Sequence, residues 1–287
     1  MNSNDNLEER ISSNLETLSP KQIRLARFFL DNKYFMSFAS ANQAGEKTGT
    51  SAATVVRFAQ TLGYEGFSEL QEALRAELPS YLTAVEHIQE RLEAPLAPDN
   101  ISQQVFHTDI RNIERTANSL SEDRLNAAID NILQAKQILV VGSGLSAAAV
   151  LFLAHSLKVI GFESRAITSE GLSLAAIVSQ TGPEDLLIAI DLWRYVRSTV
   201  EAVSTAKHYG AHTIAITDSI VSPLARMADH AFEVATEGTA HSLSLTAVMA
   251  LLNVLIAMLS YRVPKQVMEA LKRVDAAYRS NDLLIME

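Results

Sequence analysis

The sequence predicts two folding units of different class. An all-α head spans residues 1–79, and an α/β body with a five-stranded parallel, doubly wound sheet spans 101–287, with a linker over 80–100 between them. Three observations predict it. Apolar residues recur at helical spacing through the first unit. From Gln137 onward, five short buried-type runs (ILVVG, ESRAIT, LLIAID, HTIAIT and AFEVAT) alternate with helical stretches. That is the rhythm of parallel strands joined by right-handed crossovers. Between the two patterns, Pro79 and the APLAPDN run containing Pro95 and Pro98 interrupt regular structure. With 287 residues and 48% hydrophobic composition, the chain can fill two cores.

In the head, residues 7–17 suit a short leading helix. Ser19-Pro20 opens the next, with serine at the cap and proline in the first turn. Ile23, Ala26, Phe29 and Leu30 give that helix an apolar stripe with Arg27 at its edge, and Phe35, Met36 and Phe38 add core material. Ser40 caps a short helix from Ala41 to Lys47, and Thr48-Gly49 makes a turn. Thr50 and Ser51 then open TSAATVVRFAQTLG, in which Val55, Phe58, Ala59 and Leu62 face a core and Gly63 closes the run. After a turn at Tyr64–Phe67, Ser68 caps a last helix to Glu77. Five helices are expected.

A short helix, a glycine turn and a second amphipathic helix make the helix-turn-helix plan. An ordinary helical hairpin has the same spacing, so spacing alone leaves both open. On the DNA-reading alternative, Lys47, Ser51, Ala52, Thr54 and Arg57 are the candidate DNA contacts, being short groups and cations around a helix start. The formal net charge of -9 excludes a protein that coats nucleic acid by bulk electrostatics. Acids outnumber cations within residues 1–78 as well, so DNA binding requires local sorting, with Lys47, Arg57 and Arg24 or Lys33 on one side. It also requires pairing of two heads on a two-fold site.

In the body, Ile101–Leu120 reads as a helix with Val105, Ile110, Ile113 and Ala117 on one side. A second helix, Asp123–Ala135, carries Leu125, Ala128, Ile129 and Leu133, and both are expected to pack on the α/β unit through these faces. Gly142-Ser143-Gly144-Leu145-Ser146 hands the first strand to a helix ending near Ile160. Further helices are expected near 172–179, 197–208 and 222–228. Leu243–Leu259 is the most apolar stretch; at seventeen residues with Ser244, Thr246 and Asn253 inside, it is short and polar for a membrane span. It suits a helix buried between the sheet and a partner subunit. Pro264 begins a final helix ending near Arg279.

The chemistry-bearing residues gather where strands end. Ser143, Gly144 and Ser146 offer hydroxyls and a helix start to an anion. After the third strand come Asp191, Arg194 and Arg197, the arginines being forked donors for phosphate or carboxylate. Thr217 ends the fourth strand, and Glu237 and His241 follow the fifth; all are candidate effector contacts. A structural alternative stands beside this one, in which Asp191 and Arg194 pair to hold Trp193 and Tyr195 in a packed loop. No cofactor is expected: the dinucleotide fingerprint fails at Ala147, and the second strand ends Ala166-Ile167-Thr168 without an acid. No catalytic residue and no metal site is expected, since cysteine is absent and His155, His208 and His212 lack ligand spacing. The polar, acidic N-terminus is unlike a signal peptide, and a cytoplasmic protein is expected.

Ser19–Leu78, with SPKQIRLARFFLDN and then AGEKTGTSAATVVRFAQTLGYEGFSELQEAL, resembles the N-terminal domain of the RpiR family of bacterial transcriptional regulators. Ile101–Tyr261 resembles the SIS (sugar isomerase) domain that follows it in that family. The marks are GSGLS after the first strand, AIT with Asp218 and Ser219 and then Ser222-Pro223-Leu224 after the fourth, and Ala228-Asp229 before the fifth. The resemblance implies a DNA-binding regulator, a homodimer or homotetramer on a double-stranded DNA operator. The edge of its SIS sheet would hold a sugar phosphate or other anionic metabolite. The chain departs from the pattern at Gly45, where a helix-favouring alanine is usual and glycine costs roughly 1 kcal/mol of helix stability. Thr50 stands where valine is usual. The Ser-x-Ser-Gly-x-Thr loop that wraps phosphate in SIS domains is replaced by Ile190-Asp191-Leu192-Trp193-Arg194-Tyr195-Val196-Arg197-Ser198-Thr199. A charged Asp191 would repel phosphate there, so an effector held in another manner is expected. The competing functions are a sugar-phosphate isomerase with a helical appendage and a plain oligomerisation module.

Overall fold

A computed structural model describes residues 7–15, 17–76, 100–193, 195–220, 222–239 and 242–281. The chain forms two compact units, Met1–Glu86 and His87–Glu287. In the first, the described helices are α1 (Leu7–Asn14), α2 (Pro20–Asp31), α3 (Lys33–Phe38), α4 (Ala41–Thr48), α5 (Ala52–Thr61) and α6 (Phe67–Ala76). The starts of α2 and α4 are reciprocal caps: Ser19 with Gln22, and Ser40 with Gln43, each satisfying donors that a helix end leaves bare. Six helices stand where five were expected. Asn32, at φ -134, leaves the helical region and divides what reads as one core-forming stretch into α2 and α3. Ser68 is not a cap, because α6 begins one residue earlier, with the Leu70 N–H donating to the Gly66 carbonyl at 3.2 Å.

The core of this unit is built from Leu25, Phe29, Met36, Ala44, Val55, Phe58, Leu62, Leu70 and Leu74, all fully buried. The Phe29 ring lies 5.3 Å from Phe58 and meets Phe67 edge-on at 6.2 Å, the offset geometries that aromatic quadrupoles favour. Gly49 takes φ 65, the left-handed cap that ends α4. Gly45 has a role the helix-propensity argument misses. A Cβ there would sit 2.7 Å from the Thr50 carbonyl oxygen, while the Thr50 N–H donates to the Gly45 carbonyl at 2.8 Å. Glycine lets α4 and the turn into α5 touch through their backbones.

The second unit begins with α7 (Ile101–Ser119) and α8 (Glu122–Gln134). Then follow β1 (Gln137–Val141), α9 (Ala147–Val159), β2 (Ser164–Ile167), α10 (Gly171–Val178), β3 (Asp185–Ile190), α11 (Arg197–His208), β4 (His212–Thr217), α12 (Pro223–Met227), β5 (His230–Glu233), α13 (Thr246–Arg262) and α14 (Pro264–Ser280). The sheet is wholly parallel in the order β2-β1-β3-β4-β5. Its central strands are apolar on both faces because helices cover both; Leu139 pairs Leu187, Ile188 pairs Ile214 and Ile216 pairs Phe232. The chain leaves β1 toward β2 on one side and returns to β3 on the other. The C-terminal ends of β1 and β3 therefore flank the switch point, where open α/β sheets hold ligands. Most of the expected linker, residues 80–99, lies outside the described residues.

Two expectations about the helices change. In α7 the residues turned inward are Thr108, Asn112 and Thr116, while Val105, Ile110, Ile113 and Ala117 lie exposed. The polar stripe is inward because it meets unpaired backbone beyond β5. Asn112 Nδ2 donates to the Glu237 carbonyl at 2.7 Å, and Thr116 Oγ1 accepts the Ala235 N–H at 2.9 Å. Asp109 binds the hydroxyls of Ser244 and Thr246. In α8 it is Ile132, not Leu133, that is fully buried beside Leu125, Ala128 and Ile129. Leu251, Leu252, Leu255 and Leu259 sink α13 into the core, and no single described helix is long and apolar enough to cross a membrane.

Candidate DNA-reading face and effector crevice

The helix-turn-helix geometry comes from α4, the Gly49 turn and α5. Val55, Phe58 and Ala59 pin one face of α5 into the core. Ser51 is the N-cap: its hydroxyl accepts the Thr54 N–H at 3.3 Å and lies 2.9 Å from the Thr54 hydroxyl. Ser51, Ala53, Arg57 and Gln60 are exposed, Ala52 and Thr54 half-buried, and Lys47 exposed in the last turn of α4. Arg57 Nε donates back to the Ala53 carbonyl at 3.3 Å, which lays the guanidinium along the outer face of the helix. Lys33 has other work, 3.5 Å from the Glu8 carboxylate. The five residues expected to read DNA thus lie on or beside one helix start.

At the sheet's C-terminal edge, β1 and β3 end in backbone contact. A Cβ on Gly142 would lie 2.3 Å from the Ile190 carbonyl oxygen. Ser143 follows at 7% exposure, and its hydroxyl has no hydrogen-bond partner among the described residues. A buried hydroxyl without a partner costs free energy, so a native fold that keeps one has a use for it. Gly144 then turns through φ 56 and a single 3-10 turn, Gly144–Ser146, leads into α9. Ser146 is buried, its N–H donating to the Ser143 carbonyl at 3.1 Å.

After β3 the Asp191 carboxyl is engaged by its own loop. Asp191 is 2% exposed, and its Oδ2 accepts the Val196 N–H at 2.7 Å. Burial pushes its carboxyl up to about 8, against the pull of the Val196 and Leu192 amides, and Asp218 and Glu170 add repulsion. At neutral pH it is chiefly a neutral acid, not the fixed negative charge expected. Trp193 takes φ 65 and donates its N–H to Asp218 Oδ2 at 2.9 Å, and the Tyr195 hydroxyl donates to Asp218 Oδ1 at 2.5 Å. Burial likewise pushes Asp218 up to about 6, opposed by the Trp193 N–H and its other hydrogen bonds. The amides of Leu192, Trp193 and Val196, which would wrap an anion in a phosphate loop, are taken by the chain's own carboxylates.

The remaining candidates divide. Arg197 is exposed in the first turn of α11, where the helix dipole disfavours a cation and an anionic ligand would offset it. Beside it the Ser198 hydroxyl is buried without a partner among the described residues. Thr217 is fully buried and its hydroxyl faces Asp218 at 3.5 Å, so it serves the carboxylate and not the crevice. Glu237 sits 3.6 Å from Arg111 and 3.8 Å from Arg115, tied to α7. Arg194 and His241 lie outside the described residues. Among the described residues no group of three His, Asp or Glu could hold a metal ion. Sequence reasoning missed Asp218 and Ser198 as site residues. Asp218 carries a legible signal, a polar residue directly after a buried strand at the ligand-bearing edge; Ser198 carries none.

Comparison with known proteins assigns both units. The model of the helix-turn-helix domain of the rpiR family matches residues 5–80, and that of the SIS domain matches residues 131–258. The HTH-type transcriptional regulator YfhH of Escherichia coli (strain K12) is 29% identical over 242 residues, covering 83% of this chain and 85% of its own. The sugar isomerase domain of an RpiR transcription factor from Sphaerobacter thermophilus is 39% identical, with a TM-score of 0.61, covering 62% of this chain and 99% of that one. The Vibrio vulnificus NanR protein, solved with ManNAc-6P, shares the fold at 24% identity and a TM-score of 0.63, covering 95% of this chain and 98% of that one. A capped second helix after a glycine turn in the first unit, a parallel sheet with a switch point between β1 and β3 in the second, and these likenesses in the same order along the chain lead to one assignment. The chain belongs to the rpiR family of helix-turn-helix transcriptional regulators, with a SIS domain as its second unit.

Proposed function

We propose that the protein is a cytoplasmic, non-catalytic, ligand-responsive regulator acting as two or more copies. Residues 1–79 serve as the reading head, 80–100 as the linker and 101–287 as the effector-binding body. The head places the N-terminal turn of α5 in a major groove, with Lys47, Ser51, Ala52, Thr54 and Arg57 as its contacts. The body takes a small anionic metabolite, a phosphorylated sugar, in the crevice over β1 and β3. The observation that carries this reading is the Ser143 hydroxyl, buried at the switch point without a hydrogen-bond partner among the described residues. Ser198 and Arg197 across the crevice support it. Because the amides of the loop after β3 are already satisfied, the anion is held from the Gly142–Ser146 side and by Arg197. Differential affinity of the effector for two arrangements of the body then biases operator binding.

The chain's one tryptophan, Trp193, lies in the crevice loop and supplies the assay. Its fluorescence is followed as sugar phosphates and inorganic phosphate are added to the full chain. Saturable binding is expected, weakened about tenfold by Ser143→Ala, the size of a lost hydrogen bond to a charged group. Affinity that Ser143→Ala and Arg197→Ala both leave untouched refutes the site. A footprint over DNA flanking the protein's own gene, sensitive to the same ligand, tests the regulatory half.

A further inference from the structure

Three polar side chains form one row across the end of the sheet. Val141 of β1 pairs Ala189 of β3, which pairs Ala215 of β4. Two residues further along each strand, on the same face because strand side chains alternate, stand Ser143, Asp191 and Thr217. The pairing runs on past the strand ends. The Asp191 N–H donates to the Ile216 carbonyl at 3.1 Å, β1 and β3 stay in backbone contact at Gly142 and Ile190, and Ser143 is extended at φ -127. All three side chains are buried, at 7%, 2% and 0% exposure. Thr217 serves Asp218, whereas the Ser143 hydroxyl has no partner among the described residues. The Asp191 carboxyl is therefore the cross-strand neighbour of the hydroxyl that the anion is to meet.

A full negative charge in that row is costly twice over. Burial strips a carboxylate of water, and the charged groups that face Asp191 from neighbouring elements, Asp218 after β4 and Glu170 before α10, are both acids. On its own side, Tyr195 gives its hydroxyl to Asp218, and Arg197 is exposed at the start of α11. Asp191 accordingly keeps its proton at neutral pH. A protonated carboxyl is a donor as well as an acceptor. Its Oδ2 accepts the Val196 N–H at 2.7 Å, which leaves the other oxygen to carry the O–H. An O–H given to an anionic oxygen is a strong, charge-assisted bond, and an ionised carboxylate in the same place repels the same anion. We propose that Asp191 is itself an effector contact: it donates its proton to the anion that Ser143 binds, and where it is ionised the anion enters only as Asp191 draws a proton from solvent. The proposal rests on the reading of the crevice as an anion site, and it adds the contact that makes the affinity of that site depend on pH.

Titration of the full chain with inorganic sulfate and with glucose 6-sulfate, followed by Trp193 fluorescence at pH 7, 8 and 9, tests it. Both probes keep their charge over this range, so any change in affinity belongs to the protein. Asp218, pushed up only to about 6, is largely ionised throughout and contributes a constant repulsion. The native dissociation constant should rise about tenfold between pH 7 and 9, as one group near 8 gives up its proton. Asp191→Asn keeps a donor that cannot ionise, so it should bind at pH 7 within about threefold of native and stay level to pH 9. Asp191→Ala keeps none; it should bind about tenfold more weakly at pH 7, the size of a lost hydrogen bond to a charged group, and stay level as well. Asp191→Ala binding as tightly as native at pH 7 overturns the contact. A native affinity that is level with pH, or a slope that Asp191→Asn retains, overturns the proton coupling even if Asp191→Ala fails to fold. The two readings fail separately. Level binding that Ser143→Ala weakens keeps the anion site and sinks this proposal, whereas no saturable binding of either probe at any pH sinks both.

Discussion

Replacing Asp191 by asparagine isolates a stability term whose sign and size follow from the crevice. The carboxyl is buried and pushed up to about 8 from an ordinary 3.8, chiefly by desolvation, with Asp218 and Glu170 as the facing acids. A raised pKa means that the folded state holds a proton that the unfolded chain has already released. Between pH 4 and 8 the folded state binds more protons, so stability falls as pH rises. The fall is at most about 1.4 kcal/mol per pH unit, and it levels off above pH 8 as the folded carboxyl also ionises. From pH 6 to pH 8 the native protein should therefore lose about 2 kcal/mol on this account. In the Asp191→Asn variant the side chain cannot ionise, while its carboxamide oxygen still accepts the Val196 N–H that Asp191 Oδ2 accepts at 2.7 Å. Urea unfolding read by Trp193 fluorescence, which reports this loop, gives both curves at pH 6, 7, 8 and 9. The variant, which stays neutral at no cost, should be the more stable, and its advantage should widen by about 2 kcal/mol from pH 6 to 8 and then flatten. Parallel curves would refute the burial argument, because an Asp191 ionised and paired in the fold carries the same charge folded and unfolded across this range.

Arg57→Ala should cost operator affinity about 1–3 kcal/mol if the guanidinium reads a base edge, relaxing specificity at that position. If it contacts phosphate, the slope of affinity against salt should fall by about one instead; a variant unchanged in both removes Arg57 from the interface. Gly45→Ala gains up to about 1 kcal/mol of helix propensity. It also drives a methyl against the Thr50 carbonyl, and overpacking of this kind costs about 1–3 kcal/mol. A net loss in head stability by thermal unfolding is expected, and a gain would show that the close approach yields freely. Asn112→Leu buries an apolar group where the Glu237 carbonyl loses its donor. A loss of about 1–3 kcal/mol in body stability is expected in urea, and a neutral result would mean that water satisfies that carbonyl.

Much of the fold was legible because it depends on local patterns. Serines and glycines at helix ends, stripes such as Val55, Phe58 and Leu62, and buried β-branched runs announce their elements wherever they occur. The elements that misread were those in which a partner distant in sequence overrides the local pattern. Periodicity assigns Ile110 and Ile113 to the core, and the backbone beyond β5 claims Asn112 and Thr116 in their place. The site behaved likewise. The residues at strand ends could be named one by one, since a parallel sheet brings those ends together whatever the loops contain.

The amino-acid pattern alone determined two units in order, a capped amphipathic helix opening at Ser51 and a sheet of five parallel strands. Those are consequences of period, caps and chirality. Only the tertiary structure decided what each polar group at the ends of those strands does. Asp191 and Asp218 look like free acids in sequence, and in the fold they consume amides of the loop after β3, while the Ser143 hydroxyl has no partner among the described residues. The physical reason is that hydrogen bonds and desolvation are set by neighbours in space. For these groups the neighbours lie 5 and 25 residues away along the chain.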